Sequence, residues 1–102
     1  MKQVIDGKSY NTETAKELAH ASWGSPSDFH HWDETLYRTR KGAFFIAGGG
    51  GPMTRWARST GNGNERSGST GIRVLSEDEA REWIERHAND QYEAVFGPVP
   101  EA

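Results

Sequence analysis

Three groups of residues have the types and spacing to do chemistry. The first is Asp28, His30, His31, Asp33 and Glu34, two adjacent imidazoles among carboxylates. Such a cluster invites a metal ion, but metal sites take ligands spaced so that they converge, such as His at i and i+4 on a helix. Adjacent side chains diverge, and His20 and His87 are remote in sequence. We expect no metal and no cofactor here, only a polar loop with Phe29 and Trp32 pinned to the core.

The second group is the run Gly48-Gly49-Gly50-Gly51 followed by Pro52, Thr54, Arg55 and Arg58. Bare amides at a strand-to-helix turn converge on phosphate, and arginines would strengthen the grip. The Gly-Lys-Ser/Thr triplet of a nucleotide-binding loop is missing, however. A dinucleotide fingerprint also needs parallel strands, and the strand before this run belongs to a hairpin. The expected role is a flexible connection from strand to helix.

The third group is the charge pattern. Net charge is −3. Residues 1–37 hold three lysines against six carboxylates, and residues 38–73 hold seven cations against Glu65 alone. Residues 74–102 hold two arginines against eight carboxylates. Such asymmetry fits charged partners. No serine or histidine sits in a nucleophile motif, and the carboxylates after residue 76 suit a helix N-terminus and solvent. A binding protein is therefore expected rather than an enzyme.

The elements that must position these residues follow from periodicity and turn chemistry. Asp6-Gly7 between Val4-Ile5 and Lys8-Ser9-Tyr10 is a two-residue hairpin turn. Thr14 with Glu17 fits a capping box, and Ala15, Leu18, Ala19 and Ser22 line one helical face, which predicts a helix over 14–22. Leu36 to Thr39 and Ala43 to Ala47 predict a hairpin turning at Arg40-Lys41-Gly42, with Leu36 and Phe44 to Ile46 inward and Arg38 and Arg40 in water. Pro52, Met53, Trp56 and Ala57 predict a helix over 53–60 that ends at Gly61. Ser59 to Gly71 has no apolar residue and reads as a mobile loop before a strand at 72–75.

Ser76 with Glu79 is a second capping box, and Ala80, Trp83, Ile84, His87 and Ala88 form an apolar stripe, so a helix is expected over 77–88. Asp90 would cap a last turn carrying Tyr92, Val95 and Phe96, ended by Gly97-Pro98. These alternating hairpins and amphipathic helices predict an α+β fold, a small antiparallel sheet packed on one face by about three helices. Residues 1–97 form one domain, and 98–102 a frayed tail.

The 102 residues suffice for one modest core. Only 33% are hydrophobic, and the mean hydropathy is −0.87, but 11% are aromatic, and each ring buries a large area. Cysteine is absent, which excludes disulfides and thiol chemistry. No apolar run reads as a secretion signal or a membrane span, so a cytoplasmic protein is expected.

VIDGKSYNTETA, ETLYRTRKGAFFIAGGGGPMTRWA, LSEDEAREWIERH and YEAVFG together resemble a family of small, mostly uncharacterised proteins of bacteria, phages and mobile elements. The resemblance covers nearly the whole chain and carries no catalytic residues. Because small mobile-element proteins of this sort include anti-CRISPR inhibitors, it implies a stoichiometric inhibitor of a host CRISPR–Cas component. Such an inhibitor would bind a host protein or ribonucleoprotein through an acidic face (Glu77, Asp78, Glu82, Glu85) or a basic one (Arg38, Arg40, Arg55, Arg58). The alternative is a small nucleic-acid-binding accessory protein. Its arginines and Lys41 would contact phosphates and Trp56 would stack, against which stand the negative net charge and a spacing that places Trp56 in the core.

Overall fold

The computed structural model describes every residue except Asn62 and Asn64. Strands β1 (Lys2–Ile5) and β2 (Lys8–Asn11) form a hairpin. Asp6 and Gly7 both take positive φ, 50° and 74°, the conformation this two-residue turn requires. Strands β3 (Lys16–Trp23), β4 (Trp32–Arg38), β5 (Phe44–Gly50) and β8 (Ser69–Leu75) form one antiparallel sheet in the order β3-β4-β5-β8. Between β5 and β8, β6 (Arg58–Ser59) pairs with β7 (Arg66–Ser67). Helix α1 spans Glu77–His87, a 3-10 turn spans Asn89–Gln91, and α2 spans Tyr92–Phe96.

Alternation along β4 and β5 decides what each face of the sheet covers. Leu36, Phe44 and Ile46 face α1 and pack with Ala19 and Leu75 against Ala80, Trp83, Ile84 and Ala88. The intervening Phe45, Ala47 and Ile72 face the other way, under Tyr10 of the β1–β2 hairpin. There the Tyr10 ring meets Phe45 edge-on at 5.6 Å and Tyr37 stacks on it at 5.2 Å. The sheet thus carries a helix on one face and a hairpin on the other. The α1 capping box forms as expected: the Ser76 hydroxyl accepts from the Glu79 amide at 3.1 Å, and the Glu79 carboxylate accepts from the Ser76 amide at 2.9 Å. The Ser76 amide, and after it the Ser76 hydroxyl, hold the Glu79 carboxyl below its usual range. No helix of the described residues is long and apolar enough to cross a membrane.

Several expectations are corrected. Residues 14–22 are not a helix. Asn11 takes the Glu13 amide on its side chain at 2.9 Å and the Ala15 amide on its carbonyl at 3.0 Å, making a turn in place of a cap. From Lys16 the chain pairs with β4, and a bulge between Glu17 and Ala19 brings Ala19, Ala21 and Trp23 onto the α1 side. The apparent helical stripe arose because that bulge interrupts a period of two.

Residues 53–60 are not a helix either. The Met53 amide bonds to Phe29 O at 2.9 Å, the Thr54 amide to Gly51 O at 3.2 Å, and Arg58 and Ser59 pair with β7. Among the described residues two α-helices are present rather than about three.

Gly48–Gly50 are the end of a strand, not a loop. A β-carbon on Gly48 would collide with the Asp33 carbonyl. One on Gly49 would sit 2.6 Å from Ser69 O, and one on Gly51 2.6 Å from Phe29 O. The glycines admit neighbouring backbone, and their strand pairing with β4 and β8 leaves no cradle of amides for phosphate.

Finally, the segment expected to be one loop from Ser59 to Gly71 contains the last residue of β6, all of β7 and the start of β8. Its Asn62 and Asn64 lie outside the described residues. Asp90 caps nothing: it lies within the 3-10 turn, and α2 starts without a side-chain cap.

Candidate functional site

Glu34 is the one buried acidic side chain among the described residues, 3% exposed. Alternation on β4 turns it toward α1, one step along the strand from Leu36. Its two oxygens are occupied separately. Trp56 Nε1 donates to Oε2 and Trp83 Nε1 donates to Oε1, both at 2.8 Å. Arg55 Nε lies 3.4 Å from Oε2. A buried carboxylate is tolerated only with such partners, and here two indoles and a guanidinium supply them. Through this group the turn after β5 and helix α1 are tied to the same point of the sheet.

An open cleft of about 530 Å³ lies beside this group. Trp23 and Trp32 are directly opposed across β3 and β4, so they share one face of the sheet. Met53 and Thr54 close it from the turn after β5, and His30 from the loop before β4. His87, at the end of α1, sets its ring against Trp32 at 4.8 Å and Trp83 at 5.6 Å. Burial lowers the His87 pKa, helped by Arg86 and Arg55 and opposed by Glu34, which favours the neutral imidazole. A smaller hollow of about 160 Å³ adjoins, in which Arg55 and His87 meet Glu79 and Glu82.

Three large apolar side chains near the cleft are left in water: Trp23 is 53% exposed, Met53 59% and Phe29 68%. Phe29 is thus not pinned to the core as expected. Its carbonyl, rather than its ring, does the anchoring, by accepting from the Met53 amide. Trp32 is half-buried.

The expected acidic residues Glu77, Asp78, Glu82 and Glu85 are all exposed on α1; Asp78, Glu82 and Glu85 lie opposite Ala80, Trp83 and Ile84, whereas Glu77 stands in the first turn on the side of Ile84. Glu77 pairs with Arg81 at 3.2 Å and Glu82 with Arg86 at 3.3 Å. The expected basic residues do not come together. Arg38 and Arg40 lie at the β4–β5 turn, where Arg38 sits 5.7 Å over the Phe44 ring. Arg55 lies against Glu34, four residues back along β4 and so about 13 Å away. Arg58 is exposed on β6.

The histidine-rich loop is held by hydrogen bonds. His31 Nδ1 lies 2.6 Å from Asp28 O, the His30 amide donates to Asp28 Oδ1 at 2.7 Å, and His20 pairs with Asp33 at 2.9 Å. Among the described residues no three His, Asp or Glu side chains form a metal-binding group.

The cleft went unseen in the sequence because a helix over 14–22 makes Trp23 a terminator instead of a wall. Two tryptophans flanking the Gly24–His31 segment at hairpin spacing were the available signal. Comparison with protein-family models, with curated proteins and with solved structures finds no match to this chain.

Proposed function

We propose that this chain is a small non-enzymatic inhibitor, an anti-CRISPR protein that binds a host CRISPR–Cas component in the bacterial cytoplasm and blocks it through charged surface. The observation that carries this is the outer face of α1. Asp78, Glu82 and Glu85 stand in water on the side of the helix turned away from the sheet, and Glu77 is exposed in its first turn. That face offers carboxylates where a partner would otherwise hold a phosphate backbone, and charge complementarity of this kind speeds association and rejects wrong partners. The family resemblance of the sequence supports the choice of partner. The alternative of a nucleic-acid-binding protein draws less support, since Arg55 is engaged with Glu34 and Arg38 and Arg40 are remote from it.

The test is capture from a CRISPR-bearing host lysate on the immobilised protein, followed by mass spectrometry. A Cas protein is expected in the bound fraction, and Glu82→Lys with Glu85→Lys is expected to lose it while circular dichroism stays unchanged. Co-purifying nucleic acid without protein would overturn the proposal.

A further inference from the structure

We propose that the cleft between β3, β4 and the end of α1 binds a small planar aromatic monoanion, an aromatic carboxylate in class. This is a small-molecule site, and it stands whether or not the chain is an inhibitor. The volume, about 530 Å³, suits a ligand of one or two rings, within the roughly 300–1,000 Å³ of small-molecule sites. The walls suit a ring. Trp23 and Trp32 oppose each other on one sheet face, Met53 faces them from the turn, and Trp23 and Met53 remain more than half exposed. Exposed tryptophan and methionine around a concave surface offer contact area that the fold itself leaves uncovered.

The polar groups choose the charge. Glu34 is buried, each of its oxygens accepts from an indole, and Oε2 also faces Arg55, so little of the carboxylate is open to a cationic ligand. Arg55 turns Nε to Glu34, and its terminal nitrogens make no hydrogen bond among the described residues. Those two nitrogens form the fork that matches a carboxylate. His87, set against the Trp32 and Trp83 rings at the cleft wall, offers a ring N–H donor. A dianion is disfavoured. One guanidinium lines the cleft and Glu34 lies directly behind it, and in the adjoining hollow Glu79 and Glu82 outnumber Arg86. A phosphate monoester would face all three carboxylates, and a carboxylic acid carries half its charge.

The probes are 2-naphthoate, 2-naphthylmethanol and 2-naphthyl phosphate, followed by nitrogen–proton NMR of the tryptophan indoles. The expected result is saturable shifts of the Trp23 and Trp32 signals with 2-naphthoate, at least tenfold tighter than with either other probe. Trp23→Ala should weaken 2-naphthoate at least tenfold, and Arg55→Gln should abolish the preference for carboxylate over alcohol. The Trp56 and Trp83 indole signals report whether the Glu34 group survives in Arg55→Gln. If they move, Trp23→Ala together with the three-probe ranking on the parent protein decides. No saturable shift at millimolar 2-naphthoate overturns the proposal. So does equal binding of acid and alcohol, which would make the cleft a purely apolar surface, and so does tighter binding of the phosphate.

Discussion

Trp56 and Trp83 reach the same carboxylate from opposite directions, each indole nitrogen 2.8 Å from its own oxygen of Glu34. Neither tryptophan is near Glu34 in sequence, so the group closes only when β4, the turn after β5 and α1 have docked. Glu34→Gln leaves one acceptor for two indoles, and should cost about 1–3 kcal/mol, the range for one orphaned buried polar group. Glu34→Leu orphans both and should cost more. Urea unfolding of the two variants checks the order, and a Glu34→Leu protein as stable as the parent would show that the carboxylate is not structural.

Gly48 and Gly71 are paired across β5 and β8, yet should respond oppositely to a methyl group. On Gly48 it would strike the Asp33 carbonyl, whereas on Gly71 it would lie 3.7 Å from the Trp56 ring, ordinary contact. Gly48→Ala should cost about 3 kcal/mol or more by overpacking. Gly71→Ala should be neutral or stabilise by about 0.4–1 kcal/mol, through loss of unfolded-state freedom. Melting temperatures of the two variants make the comparison.

Ser76→Ala removes one half of the capping box of α1. A loss of about 1 kcal/mol is expected, with earlier exchange of the Glu79 amide, whose acceptor is the Ser76 hydroxyl. Hydrogen exchange in the first turn of the helix measures it directly.

His87 predicts a pH dependence with a definite sign. Its folded pKa lies below the ordinary value because burial disfavours the imidazolium. Above about pH 6.5, the unfolded value, both states are neutral and the group contributes nothing. As pH falls through that value, the unfolded chain binds a proton first, and stability declines until the folded pKa is passed. The melting-point gap between the parent and His87→Gln should therefore shift against the parent from pH 8 to pH 5.5. An NMR titration of His87 with its midpoint at or above 6.5 would contradict this.

Charge reversal at Glu82 and Glu85 should leave the fold nearly untouched, within about 0.5 kcal/mol for each exposed site. Both are exposed, and among the described residues only Glu82 has an ion-pair partner, Arg86, which is itself exposed. Thermal melts of the double variant check this, and they make any loss of partner binding attributable to the surface.

The sequence by itself determined the features whose interactions close within a few residues. The Asp6-Gly7 turn, the hairpin turning at Gly42 (φ 92°) and the Ser76–Glu79 box are each satisfied locally, and all appear where the residues place them. The α1 stripe belongs with them, because a helix bonds its own backbone and its period alone selects the buried Ala80, Trp83 and Ile84. Only the tertiary structure decided the rest. Lys16 to Trp23 carries a mixed period that suits helix or bulged strand, and the free edge of β4 settled it by supplying hydrogen-bond partners. The glycine run became strand because strands on both sides approach closer than any side chain allows. The Glu34 group and the aromatic cleft lay beyond a linear reading for the same reason. Their members are brought together by strand pairing and helix docking, so no short-range pattern in the chain records that they meet.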